Sequence, residues 1–530
     1  MSDAVLNPVR GPAWTRLPML AQALVLARTL APVLLLAGVL RLTALGRYPF
    51  SMVESATAGF AGLSWRELFF GLGRLETNPP SFYALEKLWT GVAGTSDFAF
   101  RVLPALSGVA GVAAVAVLAW AAFGPRAALW AGLLMAVQPH HLNHSREARV
   151  YTLLFLVVAL AGRRVAVWHG GALPWRPAAA LAALSAAAMA LHDTGPVAVA
   201  CLFAYSGVTA LRSPGPWLPR FRMLAVAGVG ALALALPALL AILEVAGDPD
   251  NNASWIIAPG WEMSWVVTLS VFAAPLDGMR TVPAPLLGGC VVFGALSLGC
   301  ALRWAVRQAR ADADAAGMLA GLLLALALLI GLSQAVPMLL ERTLMFGLVF
   351  FVPLLGAALA AMPAPMRAVM LAVVALAQAP GLLLVLNGDQ HGQDWREMAA
   401  VLHQEAVRTG WPVVVAGGFD AASVERYLPA GDPARPVVSI TPNLGGRVSE
   451  AFARLATGAE PLPQDTDGDT LCRVLGQPGG VLLLVREAPP RPPMHPVISR
   501  LLTAVGAMPD GSTVLGDLEV ERWPGACRRS

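Results

Sequence analysis

The chain has 530 residues, of which 57% are hydrophobic and only 13% are charged, and its mean hydropathy is +0.64. Soluble globular domains carry about 25% charged residues, so this composition excludes an ordinary soluble protein and indicates a membrane protein. The formal net charge of +4 is too small to indicate a nucleic-acid partner. The sequence has no P-loop and no dinucleotide-binding motif, which argues against a nucleotide-driven pump and a soluble cofactor enzyme.

Apolar residues fall in about eleven runs with little charge, each near the ~20 residues that a helix needs to cross a hydrocarbon core of about 30 Å. A shorter oily run at 261–274 predicts an interfacial or re-entrant segment. The first long run lacks the features of a cleavable signal peptide, so we expect it to remain as an anchor. We therefore predict a multi-span α-helical membrane protein with transmembrane helices at 29–46, 102–122, 127–143, 150–168, 177–191, 195–211, 223–243, 285–304, 317–337, 343–361 and 367–386.

The distribution of arginine predicts the orientation of these spans. If the amino terminus is cytoplasmic, every short loop on that side is basic, from Arg10 and Arg16 through Arg303 to Arg367. Loops on the opposite side mix both signs of charge. By the positive-inside rule we expect the amino terminus in the cytoplasm and, with an odd number of spans, the last part of the chain outside.

Residues 387–530 differ in composition, because Asp, Glu, Gln and Pro recur and helical and strand patterns alternate. We predict a soluble external α/β domain there, and a transmembrane domain over 1–386 with a long first outer loop at 46–101. The patterns in the external domain predict a helix at 394–408, buried strands at 412–416, 437–440 and 481–485, an edge strand at 515–520 and a stiff Pro-rich connector at 488–496.

The cysteines fall into two groups. Cys201, Cys290 and Cys300 lie in predicted spans, where a thiol is typically a small apolar filler. Cys472 and Cys527 lie in the predicted external domain, where an oxidising compartment permits a disulfide. Their spacing leaves a disulfide and two free thiols equally open.

The first outer loop carries two acids that are candidates for catalysis. Glu54 follows the first span, and Glu76 comes shortly before Pro79 and Pro80, which stiffen the backbone. A carboxylate in a partly dry groove at the membrane surface can act as a general base toward a hydroxyl group. The alternative is that each acid is a solvated loop residue.

A second candidate region lies at the end of the third span, where the sequence reads Gln-Pro-His-His-Leu-Asn-His-Ser-Arg-Glu-Ala-Arg-Val-Tyr over 138–151. In a helix, Arg146 and Arg149 share one face, and two guanidiniums at the depth of the lipid headgroups suit a phosphate. The alternative is that both extend toward water and pair with the glutamate between them. His140 and His144 have the spacing of metal ligands, but no further ligand motif follows, so a divalent metal is possible but not supported.

Ionisable residues also occur at the ends of later spans, on the predicted outer side. His192 and Asp193 end the fifth span, and Glu341 and Arg342 precede the tenth. Charged groups at that depth are costly unless they face a cavity or one another, which makes them candidates for a site. Arg41, near the end of the first span, either extends outward to water or contributes to function, and both interpretations stay open.

Ordered sequence elements recur across nearly the whole chain: Arg41-Leu42 and Leu45-Gly46, the acid Glu54, Asn78-Pro79-Pro80-Ser81-Phe82-Tyr83, Phe100-Arg101 before Pro104, Ser145-Arg146-Glu147-Ala148-Arg149-Val150-Tyr151, His192, Glu341-Arg342 before Pro353, and Asp394-Trp395-Arg396. In their order and spacing these elements resemble the membrane glycosyltransferases of the GT-C superfamily. The resemblance is greatest to glycosyltransferase family 39, which includes protein O-mannosyltransferases and the aminoarabinose transferases of lipid A. The element ending at Tyr151 is the most specific.

The resemblance implies a function, a donor and a location. Such enzymes transfer a sugar, with inversion, from a polyprenyl-phosphate carrier to an acceptor hydroxyl at the outer face of the membrane, without a nucleotide sugar. It implies a polyprenyl-phosphate-linked sugar as donor substrate and a lipid, glycan or protein as acceptor. It further implies a bacterial inner membrane, with the external domain periplasmic or extracellular. The oligomeric state stays open.

The resemblance also implies roles for individual residues. Glu54 takes the place of the catalytic acid, and Glu76 is a second acid near the acceptor. The candidates for binding the lipid phosphate are Arg146, Arg149, His192 and Arg342. A phosphate leaving group gains negative charge as the glycosidic bond breaks, so fixed cationic donors stabilise it.

Two departures from the family pattern affect these roles. The family commonly has Asp-Glu in the first outer loop, whereas this chain has Val53-Glu54-Ser55, which leaves open which acid of the pair Glu54 replaces. Asn78 replaces the usual histidine, which removes a titratable donor.

Two further hypotheses are a lipid or solute transporter or flippase, and a family member that has lost catalysis. The absence of an internal repeat argues against a transporter.

Overall fold

The structure is a computed structural model that describes residues 19–71, 76–168, 175–246, 256, 258–272, 284–387, 394–441, 446–476, 478–486 and 495–527. Only the backbone is described for 19–26, 284–287 and 446–448.

The described residues are mainly helical, with a single six-stranded sheet formed by the last part of the chain. The helices are α1 (Met19–Leu42), α2 (Met52–Gly62), α3 (Trp65–Phe70), α4 (Ser81–Ala93), α5 (Asp97–Phe123), α6 (Pro125–Ala136), α7 (Pro139–Ser145), α8 (Tyr151–Val167), α9 (Trp175–Leu191), α10 (Gly195–Arg212), α11 (Trp217–Ala246), α12 (Trp261–Phe272), α13 (Ala284–Gln308), α14 (Ala313–Leu332), α15 (Glu341–Leu344), α16 (Leu348–Ala361), α17 (Ala364–Asn387), α18 (Trp395–Thr409), α19 (Gly418–Glu425), α20 (Gly446–Ala456), α21 (Gly468–Val474) and α22 (His495–Ala504). The strands are β1 (Val413–Ala416), β2 (Pro436–Thr441), β3 (Glu460–Pro463), β4 (Gly480–Arg486), β5 (Ser512–Leu515) and β6 (Leu518–Pro524).

Long apolar helices confirm the predicted multi-span membrane fold. Within the described residues, 7 helical stretches are long and apolar enough to cross a membrane. They are Asp97–Phe123, Gly195–Arg212, Trp217–Ala246, Gly288–Gln308, Ala313–Leu332, Glu341–Ala361 and Ala364–Asn387. The other predicted spans fall on α1, α6, α8 and α9, of which α6 has 12 residues and α8 and α9 have 17 each. The oily run at 261–274 forms the short helix α12.

The third predicted span, 127–143, is wrong as a single helix. It is two helices, because α6 ends at Ala136 and α7 begins at Pro139. The intervening Gln138 is extended, since the residue before a proline is disfavoured in the helical conformation. The Gln138 side chain then caps the new helix by accepting a hydrogen bond from the His141 amide at 2.7 Å.

The chain forms two compact units. The first comprises Met1–Thr43, Pro104–Leu239 and Ala258–Asn387. Its helices approach closely through glycine: a Cβ atom added at Gly317 of α14 would lie 2.4 Å from Tyr205 of α10. In this unit small residues therefore take the place of side-chain interdigitation, as is typical of helices that pack in membranes.

The second unit comprises Ala44–Leu103, Leu240–Ile257 and Gly388–Ser530. This unit contains the sheet and also the helices α2, α3 and α4 of the first outer loop. The sequence predicted that this loop belongs to the transmembrane domain. The division of the chain into a domain over 1–386 and an external domain over 387–530 stays a prediction.

The sheet has the strand order β3-β2-β1-β4-β6-β5. The first four strands are parallel to one another, β6 runs antiparallel to β4, and the edge strand β5 runs antiparallel to β6. Apolar clusters cover both faces, one around Trp395 and Val415, the other around Ile440 and Leu483. A parallel sheet of this kind is buried on both sides, which is why its strands read as continuous apolar runs in the sequence.

The structure refines several predictions for this region. The predicted helix and the three buried strands correspond to α18, β1, β2 and β4. The predicted strand at 515–520 is wrong, because Leu515 ends β5, Leu518 begins β6, and Gly516, with φ 58, makes the turn between them. A disulfide joins Cys472 and Cys527, which decides the open question about these thiols. Most of the predicted connector, 488–494, lies outside the described residues.

Candidate active site

The helix α2 carries Glu54 on its first turn. Ser51 precedes this helix, and both its amide and its hydroxyl donate hydrogen bonds to Glu54 Oε2, at 2.9 and 3.1 Å. A serine followed three residues later by a glutamate is a typical helix start, because the acid satisfies amide groups that the helix leaves without partners. The local sequence thus fixes Glu54 against the beginning of its own helix.

A buried ion pair with Arg101 of α5 holds the same carboxylate. Arg101 Nε donates to Glu54 Oε1 at 2.7 Å, and Arg101 Nη2 donates to Glu54 Oε2 at 2.8 Å. The side chains are 1% and 0% exposed. A two-point contact of this kind fixes both the position and the plane of the carboxylate and favours its ionised form.

Arg101 also organises the backbone before α2. Its Nη1 donates to the carbonyls of Leu45 and Tyr48 at 3.0 and 2.8 Å, and its Nη2 donates to the carbonyl of Pro49 at 3.0 Å. With the two bonds to Glu54, the guanidinium donates all five of its hydrogen bonds inside the unit, which is the condition for burying an arginine at modest cost. The sequence indicated Arg101 only as part of the element before Pro104, and its contact with Glu54 was not predicted.

The second predicted acid, Glu76, lies in the same unit and is 5% exposed. Its Oε1 accepts hydrogen bonds from Asn78 Nδ2 at 3.1 Å and from the Thr77 hydroxyl at 3.4 Å. Asn78, which stands where the resembling family has histidine, therefore contacts the second acid. Both predicted acids are buried and hydrogen-bonded, so neither is the solvated loop residue of the alternative interpretation.

In the first unit, the segment with Arg146 and Arg149 is not helical, and the expectation that the two arginines share a helix face is wrong. The helix α7 ends at Ser145 and α8 begins at Tyr151, so both arginines lie in the bend between them. Arg146 Nη1 donates to the carbonyls of Leu40 and Thr43, at 2.8 and 2.9 Å. It thereby satisfies carbonyls at the end of α1.

Arg149 takes a different direction from Arg146. Its guanidinium lies over the ring of Tyr151, 5.8 Å from the centroid. The Tyr151 ring in turn contacts His144, at 5.0 Å between centroids, and His192, at 5.4 Å. The glutamate between the arginines, Glu147, pairs with His144 Nδ1 at 3.0 Å. Of the predicted phosphate ligands, Arg149 and His192 thus share the aromatic contact Tyr151.

The turn between α9 and α10 extends this set of residues. His192 Nδ1 lies 2.6 Å from Asp193 Oδ1, and Asp193 interacts electrostatically with Arg342. Burial alone raises the pKa of Asp193, but the contact with His192 and the charge of Arg342 hold that pKa below its usual value. Asp193 is therefore ionised at neutral pH, and it links His192 with Arg342. We call Arg149, Tyr151, His192, Asp193 and Arg342 the cationic cluster.

The histidines of α7 have partners other than a metal ion. His140 Nε2 lies 3.0 Å from the hydroxyl of Ser270 of α12, and the rings of His140 and His144 are 6.5 Å apart. Within the described ranges there is no group of three or more His, Cys, Asp or Glu side chains placed to hold a metal ion.

Arg41 faces the interior of the first unit and is 0% exposed, so the interpretation that it extends outward to water is wrong. Its guanidinium donates to the carbonyl of Ala136 at 3.0 Å and to the Ser145 hydroxyl at 3.2 Å, and its Nη2 lies 2.9 Å from His141 Nδ1. These partners lie where α6 ends and along α7, so Arg41 ties α1 to the break between the two helices.

Comparisons with known proteins agree with this architecture. No protein-family model matches the chain, and no curated protein matches it. ArnT from Cupriavidus metallidurans in the apo state aligns with a TM-score of 0.60 at 14% identity, over 95% of this chain and 98% of ArnT. The structure of that ArnT bound to undecaprenyl phosphate aligns with a TM-score of 0.59 at 15% identity, over 94% and 98%. The chain therefore has the fold of the GT-C membrane glycosyltransferases.

Proposed function

We propose that the chain is a membrane glycosyltransferase that takes a sugar from a polyprenyl-phosphate carrier and transfers it to an acceptor hydroxyl. The observation that carries this proposal is the alignment with ArnT over 94% of the chain, since one structure of ArnT holds undecaprenyl phosphate. The reaction belongs to the outer face of a bacterial inner membrane. The predicted orientation of the spans supports a reaction at the outer face. The acceptor is a lipid, glycan or protein.

Glu54 is the proposed general base. In the reaction, the acceptor oxygen forms a bond to the anomeric carbon of the sugar, the bond from that carbon to the phosphate oxygen breaks, and the carboxylate takes the hydroxyl proton. Attack opposite the leaving phosphate inverts the anomeric centre. Arg101 favours the carboxylate form of Glu54, which is the form that can accept a proton, and fixes its orientation. Glu76, which accepts a hydrogen bond from Asn78, is the proposed second acid near the acceptor.

The cationic cluster is the proposed site for the phosphate of the carrier. Arg149, His192 and Arg342 are the candidates that the sequence predicted, and each of them contacts or interacts with a neighbour in this cluster. Fixed positive groups stabilise a leaving phosphate more than a bound phosphodiester, because negative charge increases as the glycosidic bond breaks. Arg146 was predicted with them, but its Nη1 is engaged at the end of α1, so its main role is to hold that end.

The test is transfer by the purified full-length protein in lipid nanodiscs. The donors are undecaprenyl phosphates carrying a labelled hexose or pentose, and the acceptor is the envelope fraction of a strain that lacks the gene. We expect one donor to label the envelope fraction and to release undecaprenyl phosphate. Binding of undecaprenyl phosphate without transfer of any sugar would support the inactive family member, and movement of the lipid between leaflets without transfer would support a flippase.

Two substitutions of Glu54 test its role as the base, and the unfolding temperature shows how much each one also disturbs its contacts. Glu54→Gln removes the negative charge and turns an amide NH₂ toward the donors of Arg101, so we expect it to abolish transfer and to lower the unfolding temperature. Glu54→Asp keeps the charge but shortens the side chain by one methylene, and we expect about 10²-fold slower transfer with a smaller loss of stability. Wild-type turnover in Glu54→Gln would remove Glu54 from the mechanism.

A further inference from the structure

Asp97, the first residue of α5, collects three donors from the last part of the chain. Arg426 Nε donates to Asp97 Oδ1 at 2.9 Å, Arg396 Nη2 donates to Oδ2 at 3.2 Å, and the Tyr427 hydroxyl donates to Oδ2 at 2.8 Å. The Asp97 side chain is 11% exposed. Arg101 lies four residues further along the same helix, one turn away and on the same face. Residues around the sheet therefore fix the turn of α5 from which Arg101 reaches Glu54.

Tyr427 makes a second connection, to the beginning of α2. Its hydroxyl accepts a hydrogen bond from the Phe50 amide at 2.6 Å. Phe50 directly precedes Ser51, whose amide donates to Glu54. The buried Phe50 ring lies 4.0 Å from the guanidinium of Arg426 and 5.0 Å from that of Arg101. One phenol hydroxyl thus contacts both Phe50, two residues before α2, and the acid that begins α5.

Helix α2 itself packs against α19 and α20, which flank the sheet. Phe60 of α2 contacts Phe452 of α20, with 5.2 Å between ring centroids, and Phe452 contacts Phe419 of α19 at 4.6 Å. A Cβ atom added at Gly59 would lie 2.3 Å from the Phe452 ring. The glycine is therefore required for this close approach, and the register of α2 on the sheet's helices is defined.

Helix α2 lies at an edge of the sheet that commonly binds a ligand in other open α/β proteins. Such sheets bind ligands at the carboxyl ends of two neighbouring strands whose connections leave in opposite directions. Here those strands are β1 and β4, because the chain passes from β1 to β2 on one side and β4 lies on the other. The helix α19 follows β1, and Arg486 at the end of β4 pairs with Asp420 and contacts Met52 Sδ of α2 at 3.1 Å. The chain's own helix α2 thus occupies the edge where such a sheet usually takes a ligand.

We propose that Asp97 and Tyr427 are positioning residues through which the sheet sets the geometry of Glu54. This inference rests on the proposed function, in which Glu54 is the base. Neither residue takes part in the chemistry. Asp97 orients the turn of α5 that carries Arg101, and Tyr427 fixes the backbone that begins α2. The sheet contributes to transfer by holding the base in place.

The experiment compares four variants of the full-length protein in nanodiscs, the fourth being the conservative Asp97→Glu. Tyr427→Phe keeps the ring and removes one hydroxyl, and Asp97→Asn removes the charge that its three donors share. The matched control is Asp432→Asn, because Asp432 is another acid of the same unit, with a side chain that is 4% exposed. Its described contacts are with His403 at 2.8 Å and with the Ala434 amide at 2.9 Å. The readouts are kcat, the KM for the undecaprenyl-phosphate donor, the unfolding temperature, and hydrogen exchange of the amides at 51–62.

We expect kcat to fall about tenfold in Tyr427→Phe and about 10²-fold in Asp97→Asn, with KM for the donor within about twofold of wild type. We expect Asp97→Glu to recover part of the kcat lost in Asp97→Asn. The amides at 51–62 should exchange faster in both variants than in Asp432→Asn, at a similar loss of unfolding temperature. A kcat equal to that of Asp432→Asn, or unchanged exchange at 51–62, overturns the inference.

Failure of the proposed function gives a different result. If wild-type protein transfers no sugar, the proposed function fails, while hydrogen exchange still decides whether Asp97 and Tyr427 hold α2. If Asp97→Asn does not fold, Tyr427→Phe decides the question on the same two readouts.

Discussion

Each of the two units buries an arginine, and the partners that hold its guanidinium differ between the units. Arg101 in the second unit forms a two-point pair with Glu54 and donates to three carbonyls. Arg41 in the first unit contacts the Ala136 carbonyl, the Ser145 hydroxyl and the His141 imidazole. A guanidinium paired with a carboxylate leaves a second charge behind when it is removed, whereas one held by dipoles leaves only neutral groups. The comparison separates a buried ion pair from a guanidinium that is held by neutral groups.

The largest expected effect comes from removing the paired arginine. Arg101→Met leaves Glu54 as a buried charge without its partner, and we expect a loss of about 3–5 kcal/mol of stability. Arg41→Met leaves carbonyls and a histidine, and we expect about 1–3 kcal/mol. Thermal and denaturant unfolding of the two variants in the same detergent measures the difference.

The double variant Arg101→Met with Glu54→Leu sharpens the comparison. Because it removes both charges together, it should recover part of the stability that Arg101→Met loses. An Arg41→Met variant that is less stable than Arg101→Met would show that the contrast between the two arginines is wrong.

Glu86 of α4 is a buried acid whose carboxyl group forms no ion pair within the part of the chain that the structure describes. It is 0% exposed, and neither of its oxygens has a hydrogen-bond partner among the described residues. Burial raises the pKa of Glu86 to about 8, so the folded protein prefers the protonated acid. The stability that this proton provides is complete below the ordinary pKa of 4.5 and is lost as the pH rises through about 8.

We therefore expect Glu86→Met to be more stable than wild type at pH 9 and to lose this advantage toward pH 4.5. Each pKa unit corresponds to about 1.4 kcal/mol, so the difference at pH 9 should reach a few kcal/mol. Unfolding temperature measured from pH 4.5 to 9 tests this, with the exposed Glu450→Gln as control. A difference between Glu86→Met and wild type that does not change with pH contradicts the prediction.

The smallest expected effects distinguish Arg146 from Arg149. Arg146→Ala removes two hydrogen bonds to the end of α1, and we expect a loss of about 1–2 kcal/mol with donor binding nearly unchanged. Arg149→Ala should leave the unfolding temperature close to wild type and weaken binding of undecaprenyl phosphate about tenfold. Equilibrium binding of labelled undecaprenyl phosphate in nanodiscs measures both. The opposite ranking in binding would assign the phosphate to Arg146.

Much of the fold follows from the sequence, because apolar runs of span length and continuous apolar strands have few other interpretations. The break in 127–143 was missed, although Pro139 was visible, because hydropathy alone does not register a helix end. The strand β3 was missed because Glu460-Pro-Leu-Pro463 contains two prolines and lies at the sheet edge.

The candidate site was harder to predict. Glu54 was singled out because it follows a span and matches a position of the resembling family, and its role stays a proposal. Its partner Arg101 lies 47 residues away, and nothing local indicates that the two meet. Arg41 was equally hidden, since the sequence alone does not tell which way an arginine near a span end turns. Pairing across such distances is decided by tertiary packing, which periodicity does not report.

The position of β6 has a consequence for how the protein is made. This strand follows every other strand in chain order, yet it lies between β4 and β5 inside the sheet. During synthesis, the backbone groups of Val481–Val485 that face β6 stay unpaired until residues 518–524 have been made. An open edge of this kind invites pairing with another chain. Nascent copies are therefore most prone to aggregate after β4 has been made and before β6 follows.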